Sequence, residues 1–162
     1  MAELTNLEDK LGEVVGLAMA AQAATEKVMS LEEAEQYKDV LEQMNMEASE
    51  AERRGSALAD KIEGKKTAIL EKARETKSKG SDMLKTYIGE DSDALDGFEF
   101  LTMAEAGEVG HWKVLKTMAE TAGRREIVDL VQWGLPIQER HFADAQQSCL
   151  RLAAEEDPNE IS

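Results

Sequence analysis

Cysteine is nearly missing from this chain. Cys149 stands alone, so no internal disulfide can staple the fold, and a reduced, cytoplasmic setting is expected. Proline occurs only at Pro136 and Pro158, so little interrupts a helix over most of the length. Aromatic residues make up 4%, which leaves Ala, Leu, Met and Val to fill a core. No run approaches the ~20 apolar residues of a membrane span. The most apolar stretch, Val14 to Ala24, contains Gln22 and has no basic lead, so it does not read as a secretory signal. Positive charge is also short: 19 Lys and Arg stand against 34 Asp and Glu, for a net charge of −15. Phosphate binding needs a basic face, so nucleic acid is excluded as a direct partner. A Gly-rich phosphate loop, a Cys pair, a nucleophile elbow and a dinucleotide fingerprint are all missing.

What is present is helix-forming. Ala, Glu, Leu, Met and Lys dominate the 162 residues, enough for a single domain over 1–158 with 159–162 as tail. Apolar residues recur at steps of three and four in four long segments, about 6–28, 31–60, 93–121 and 124–155. Thr5 or Asn6 can cap the first. Ser30-Leu-Glu-Glu resembles a capping box opening the second, which makes the first two helices antiparallel neighbours. Asp93 or Asp96 can start the third, and Ala122-Gly123 ends it. Pro136 interrupts the fourth pattern and predicts a kink or a new helix start. Between them, about 64–92, the periodicity weakens, with a polar break at Lys77-Ser-Lys-Gly-Ser81. That length suits a partly helical crossover running from one end of a bundle to the other. The expected fold is therefore all-α: two helical hairpins joined by a long crossover.

The candidate chemistry centres on the third segment. Leu101, Ala104, Glu108, His111, Leu115 and Met118 fall on one stripe. Glu108 and His111 are thus placed in an apolar seam, where an unpaired carboxylate costs several kcal/mol. The i, i+3 spacing of Glu108-Val-Gly-His111 presents a carboxylate and an imidazole to one point, as in metal-binding bundles, and Glu105 lies one turn earlier. Gly107 and Gly110 flank Glu108 and suggest a backbone or an ion close by. Gln138-Glu-Arg-His141 repeats the spacing on the fourth segment, with Glu139 near enough for a kink at Pro136 to turn it inward. His111 and His141 are the only histidines, and both fall on core-facing positions. The first half offers Glu47 and Glu50, an i, i+3 pair on the second segment, and Gln22 or Glu26 on the first. Trp112 and Trp133 read as core or interface anchors, and a stripe wide enough to include Trp133 would suit a homodimer.

These residues resemble the ferritin-like superfamily, which includes rubrerythrins and small stress-associated ferritin-like proteins. The resemblance spans the hairpin–crossover–hairpin pattern and is strongest over about Asp93 to Pro158. It implies a four-helix bundle holding iron, or manganese or zinc, through carboxylates and imidazoles, with a role in oxidative stress or iron handling. Carried across residue by residue, Glu108 with Glu105 matches the third-helix carboxylate and His141 the fourth-helix imidazole. Gln138 stands where that family has Glu, Glu47 matches the second-helix carboxylate, and Glu50 stands where a His is expected. The alternative is a ferritin-fold structural or interaction module that has lost its metal site.

Overall fold

The computed structural model describes residues 2–161. Those residues form α1 (Asn6–Met29), a 3-10 turn (Glu35–Tyr37), α2 (Lys38–Asp60), α3 (Lys66–Tyr87), α4 (Ala94–Ala122) and α5 (Arg125–Glu155), with no strand among them. None of these helices is long and apolar enough to cross a membrane.

The caps explain most of the boundaries. Thr5 closes a capping box with Glu8, its hydroxyl accepting from the Glu8 N–H while the Glu8 carboxylate accepts from the Thr5 N–H. Asp93 and Asp96 do the same for α4. Gly123, at φ 67°, supplies the left-handed residue that ends α4. Ser30 departs from its expected role. Its hydroxyl donates back to the Lys27 carbonyl and it terminates α1 instead of opening α2. Glu33 then takes φ 66°, so helix cannot start at Leu31 and α2 begins at Lys38. Burial accounts for the detour: Ala34 and Tyr37 are both drawn into the core, Tyr37 edge-on to Phe98 at 5.1 Å. The detour is also tied down where the Ala94 N–H donates to the Glu32 carbonyl.

The crossover is more regular than its sequence suggests. Lys66 to Tyr87 is one continuous helix, and the polar run Lys77–Ser81 lies inside it. Its order comes from packing against α1. Gly12 and Gly16 of α1 lie under α3, where a methyl at Gly12 would sit 2.8 Å from the Ile69 carbonyl oxygen. Gly16 meets Ala73 and Thr76, and Gly80 meets Ala20. Both sets ascend together, so α1 and α3 are parallel and their backbones nearly touch. Small residues permit this approach, and the gain is dispersion contact along two turns.

The remaining helices close a four-membered ring. α1 packs on α2 and α4, and α5 packs on α2 and α4. Val28 meets Gly97 while Lys10 meets His111, Trp112 meets Gly134 while Glu105 meets Gln138, and Val15 meets Gly55 while Thr25 meets Asn45. The pairs α1/α4, α4/α5 and α1/α2 are thus antiparallel, and α2 and α5, joined at Glu47 and His141, therefore oppose each other too. The core along this ring is split in two. One cluster, around Leu11, Val15, Leu58, Trp112, Leu115 and Val131, fills the end where α1 begins. The other, around Val28, Leu41, Met44, Phe98, Leu101 and Leu152, fills the end where α1 finishes. A polar layer lies between them.

Candidate functional site

The polar layer is set by which stripe of α4 is buried. Phe98, Leu101, Glu105, Glu108, Trp112, Leu115 and Ala119 are all below 7% exposed, a strict alternation of steps of three and four. The expected stripe ran one residue to the side at three places. Trp112 goes inside because its bulk fits over Gly134, where the indole fills the space a side chain would take. His111 is thereby turned to the flank, its side chain 41% exposed. On α5 the inner stripe is Ile127, Val131, Gly134, Gln138, His141, Ala145, Ser148 and Leu152. Glu105-x-x-Glu108 on α4 therefore faces Gln138-x-x-His141 on α5.

Gln138 bridges the two helices, its amide N–H donating to the Glu105 carboxylate. His141 is 3% exposed, with Nε2 3.1 Å from Glu47 Oε1 on α2 and Nδ1 3.9 Å from Glu105 Oε2. The Glu47 contact holds a proton on Nε2, and Nδ1 faces Glu105 beyond hydrogen-bond reach. Arg140, which the sequence reading missed, forks onto both oxygens of Glu47. Its only signal was adjacency to His141.

Burial dominates the electrostatics. Desolvation pushes Glu105 up to about 7, the Gln138 amide acting against it. Glu108 is raised well above the ordinary carboxylate range, first by burial and then by the charge of Glu105. Burial also lowers His141, with Glu47 opposing. Among the described residues, no Lys or Arg pairs with Glu105 or Glu108.

The other expected site residues lie elsewhere. His111 Nδ1 is 3.3 Å from both Glu13 Oε2 and Lys10 Nζ on α1, so the two histidines share no partner. Glu50 sits on the outer surface of α2, held down to about 2 by hydrogen bonds from Arg53 and Arg54. Glu139 is exposed: α5 continues through Pro136 and does not turn that side chain inward. Gln22 donates to Glu52 across α1 and α2, and Glu26 is exposed. A methyl at Gly107 or Gly110 would meet nothing within 4 Å, so neither marks a close backbone. Trp133 is half-buried, with the Arg54 guanidinium 4.1 Å above its ring.

No family model, curated protein or solved structure matches the chain.

The fit of a metal ion can be judged from the donors themselves. Carboxylate and imidazole are suitable ligand types for iron, manganese or zinc. Their placement is not suitable. Among the described residues no three His, Cys, Asp or Glu side chains gather as ligands of one ion would. Glu47 is occupied by Arg140, Gln138 donates where a ligand would accept, and α1 presents Ala18 at this level. The gap between Glu47, Glu108, Gln138 and His141 is about 10 Å³, at the lower limit for a single water. The residues present do not fit a two-metal centre.

A larger space lies on the other side of Glu108. A cavity of about 190 Å³, open on one side, is lined by α1, α3 and α4, with Glu105, Glu108 and His111 as its polar members.

Proposed function

We propose that the chain is a ferritin-like bundle acting as an interaction module, with its interior acids serving recognition instead of two-metal chemistry. The bundle part is supported by the ring of α1, α2, α4 and α5, with α3 travelling the length of α1 as a crossover would. The observation that carries the functional part is the Arg140 guanidinium on Glu47. A protein cation neutralises the one second-helix carboxylate that the ferritin-like pattern would need for metal.

A second reading, in which a single iron, manganese or zinc ion draws Glu105, Glu108 and His141 together on binding, is favoured by a separate observation. Two acids are buried one turn apart with no cation against them, and His141 stands 3.9 Å from one of them.

Metal analysis of protein purified without chelator, followed by melting with and without added Fe(II), Mn(II) and Zn(II), decides between the two. The module reading expects sub-stoichiometric metal and an unchanged Tm. A bound ion at a hundredfold its Kd would add about 3 kcal/mol, or roughly 5–10 °C for a domain of this size. Such a shift, lost in Glu108→Gln, would overturn the module reading.

A further inference from the structure

The cavity beside Glu108 is built unlike the remainder of the interior. Its walls are apolar: Leu17 and Ala21 from α1, Met83 from α3, Phe100 and Leu101 from α4. At about 190 Å³ it exceeds the ~150 Å³ that suffices for benzene, so it takes a body of that size plus a short substituent. Its mouth follows one stripe of α4, Met103, Gly107 and His111, each half-buried or exposed. The thioethers of Met83 and Met103 flank that mouth, 46% and 40% exposed, and can adapt to what passes.

The inner end is acidic. Glu108 is 6% exposed and has no hydrogen-bond donor among the described residues. Among the described residues every fully enclosed polar side-chain atom has a partner, so the Glu108 oxygens are not fully enclosed, and Glu108 lines both this cavity and the small gap beside His141. Glu105 stands one turn away, 1% exposed. Burial and Glu105 disfavour the charge on Glu108, and a cation is the group that would hold its carboxylate ionised there. Lys10 of α1 is already paired with Glu13. The formal net charge of −15 concentrates cations around the whole molecule.

We infer that this cavity binds a small apolar primary amine in its protonated form, the ammonium on Glu108 and Glu105 and the apolar body between Leu17, Met83 and Phe100. An ammonium offers three donors, enough for both carboxylates, and its apolar body replaces water in the cavity. The assignment rests on the module reading, because a metal ion on Glu108 would take the same charges.

Calorimetric titration of the full chain with benzylamine, and with benzyl alcohol as its uncharged counterpart, tests this. One benzylamine per chain is expected, with the alcohol at least tenfold weaker. Glu108→Gln should weaken the amine at least tenfold and leave the alcohol unchanged. Gly107→Leu places a side chain where the backbone leaves room, closes the mouth and should abolish both, with the circular dichroism unaltered. Equal affinity for the two probes, or an unaltered amine affinity in Glu108→Gln, overturns the inference. No benzylamine binding in a chain that also binds no manganese overturns the inference and leaves the module reading standing. Stoichiometric manganese lost in Glu108→Gln overturns both.

Discussion

Glu105 and Arg140 show how far single side chains carry the behaviour of this protein. Glu105 is an acid raised from 4.5 to about 7 by folding. A group raised in this sense favours the native state fully below its unfolded value, and that contribution disappears as pH climbs through the folded value. Two to three pH units correspond to about 3 kcal/mol, so stability should fall between pH 5 and pH 8. His141, lowered by burial, works the other way and penalises the native state as pH drops below 6.5. Gln138, Glu47 and Arg140 face the same pair of groups, and the Arg140 charge adds to the lowering of His141. Urea midpoints measured from pH 5 to 8 should therefore decline at the alkaline end, and Glu105→Gln should flatten that decline. A wild-type midpoint that rises toward pH 8 would contradict the burial of both acids. Arg140→Ala removes the cation beside His141 and frees Glu47 to act on the ring alone. The imidazole should then titrate higher, as followed by its NMR shifts, while stability falls by no more than about 1 kcal/mol because Arg140 is 39% exposed.

At the scale of elements, α1 and α3 are held by the lack of side chains at their contact. Gly16 has the Ala73 backbone against it, and a side chain there must drive the helices apart. Gly16→Leu should cost about 3 kcal/mol or more, at the upper end of overpacking penalties, read from thermal or chemical denaturation. Gly110→Ala is the matched contrast. It sits in α4 with open space around it and should gain up to about 1 kcal/mol from helix propensity alone. Equal effects at the two positions would mean that α3 does not pack on α1 as described. The same reasoning explains why α3 was hard to see in the chain. Its buried residues are Ala68, Ile69 and Ala73, so its inner stripe is short and made mostly of alanine. Hydrophobic periodicity has little amplitude when the contact partners are glycines. Ser30 was misleading for a related reason: its capping pattern is genuine, but burying Ala34 and Tyr37 outweighs one hydrogen-bonded turn.

For the whole molecule, the two apolar clusters separated by a polar layer make stability uneven along the bundle. The second half of α3, from Arg74 to Tyr87, contributes no buried residue and has solvent on most of its faces. Its amides should exchange with deuterium sooner than those of α4 between Leu101 and Leu115, whose inner face is buried against α1 and α5. Protection in Arg74–Tyr87 equal to that of α4 would require a further surface covering α3. The cavity lies under this weaker segment, with Met83 as its α3 wall, so a bound ligand should slow exchange there before it does so elsewhere.

Much of the architecture was written in the chain. The scarcity of Pro, the helix-forming composition, the caps at Thr5, Asp93 and Gly123, and the long second hairpin all follow from local preferences that tertiary contacts did not reverse. Gln138, His141 and Glu108 were also legible as inward polar residues, because each interrupts an apolar stripe, whereas Glu105 was legible only as a neighbour of Glu108 one turn earlier. What only the folded molecule decided was which of two adjoining stripes of α4 faces the core. Residues at i and i+1 differ by about 100° around a helix, and Ala104 with Met118 is as apolar a frame as Glu105 with Ala119. The choice belongs to Trp112, whose ring needs the hollow at Gly134, a residue on another helix. Once that ring is seated, His111 is carried to the cavity mouth and the two acids to its floor, and no spacing within α4 alone could have settled it.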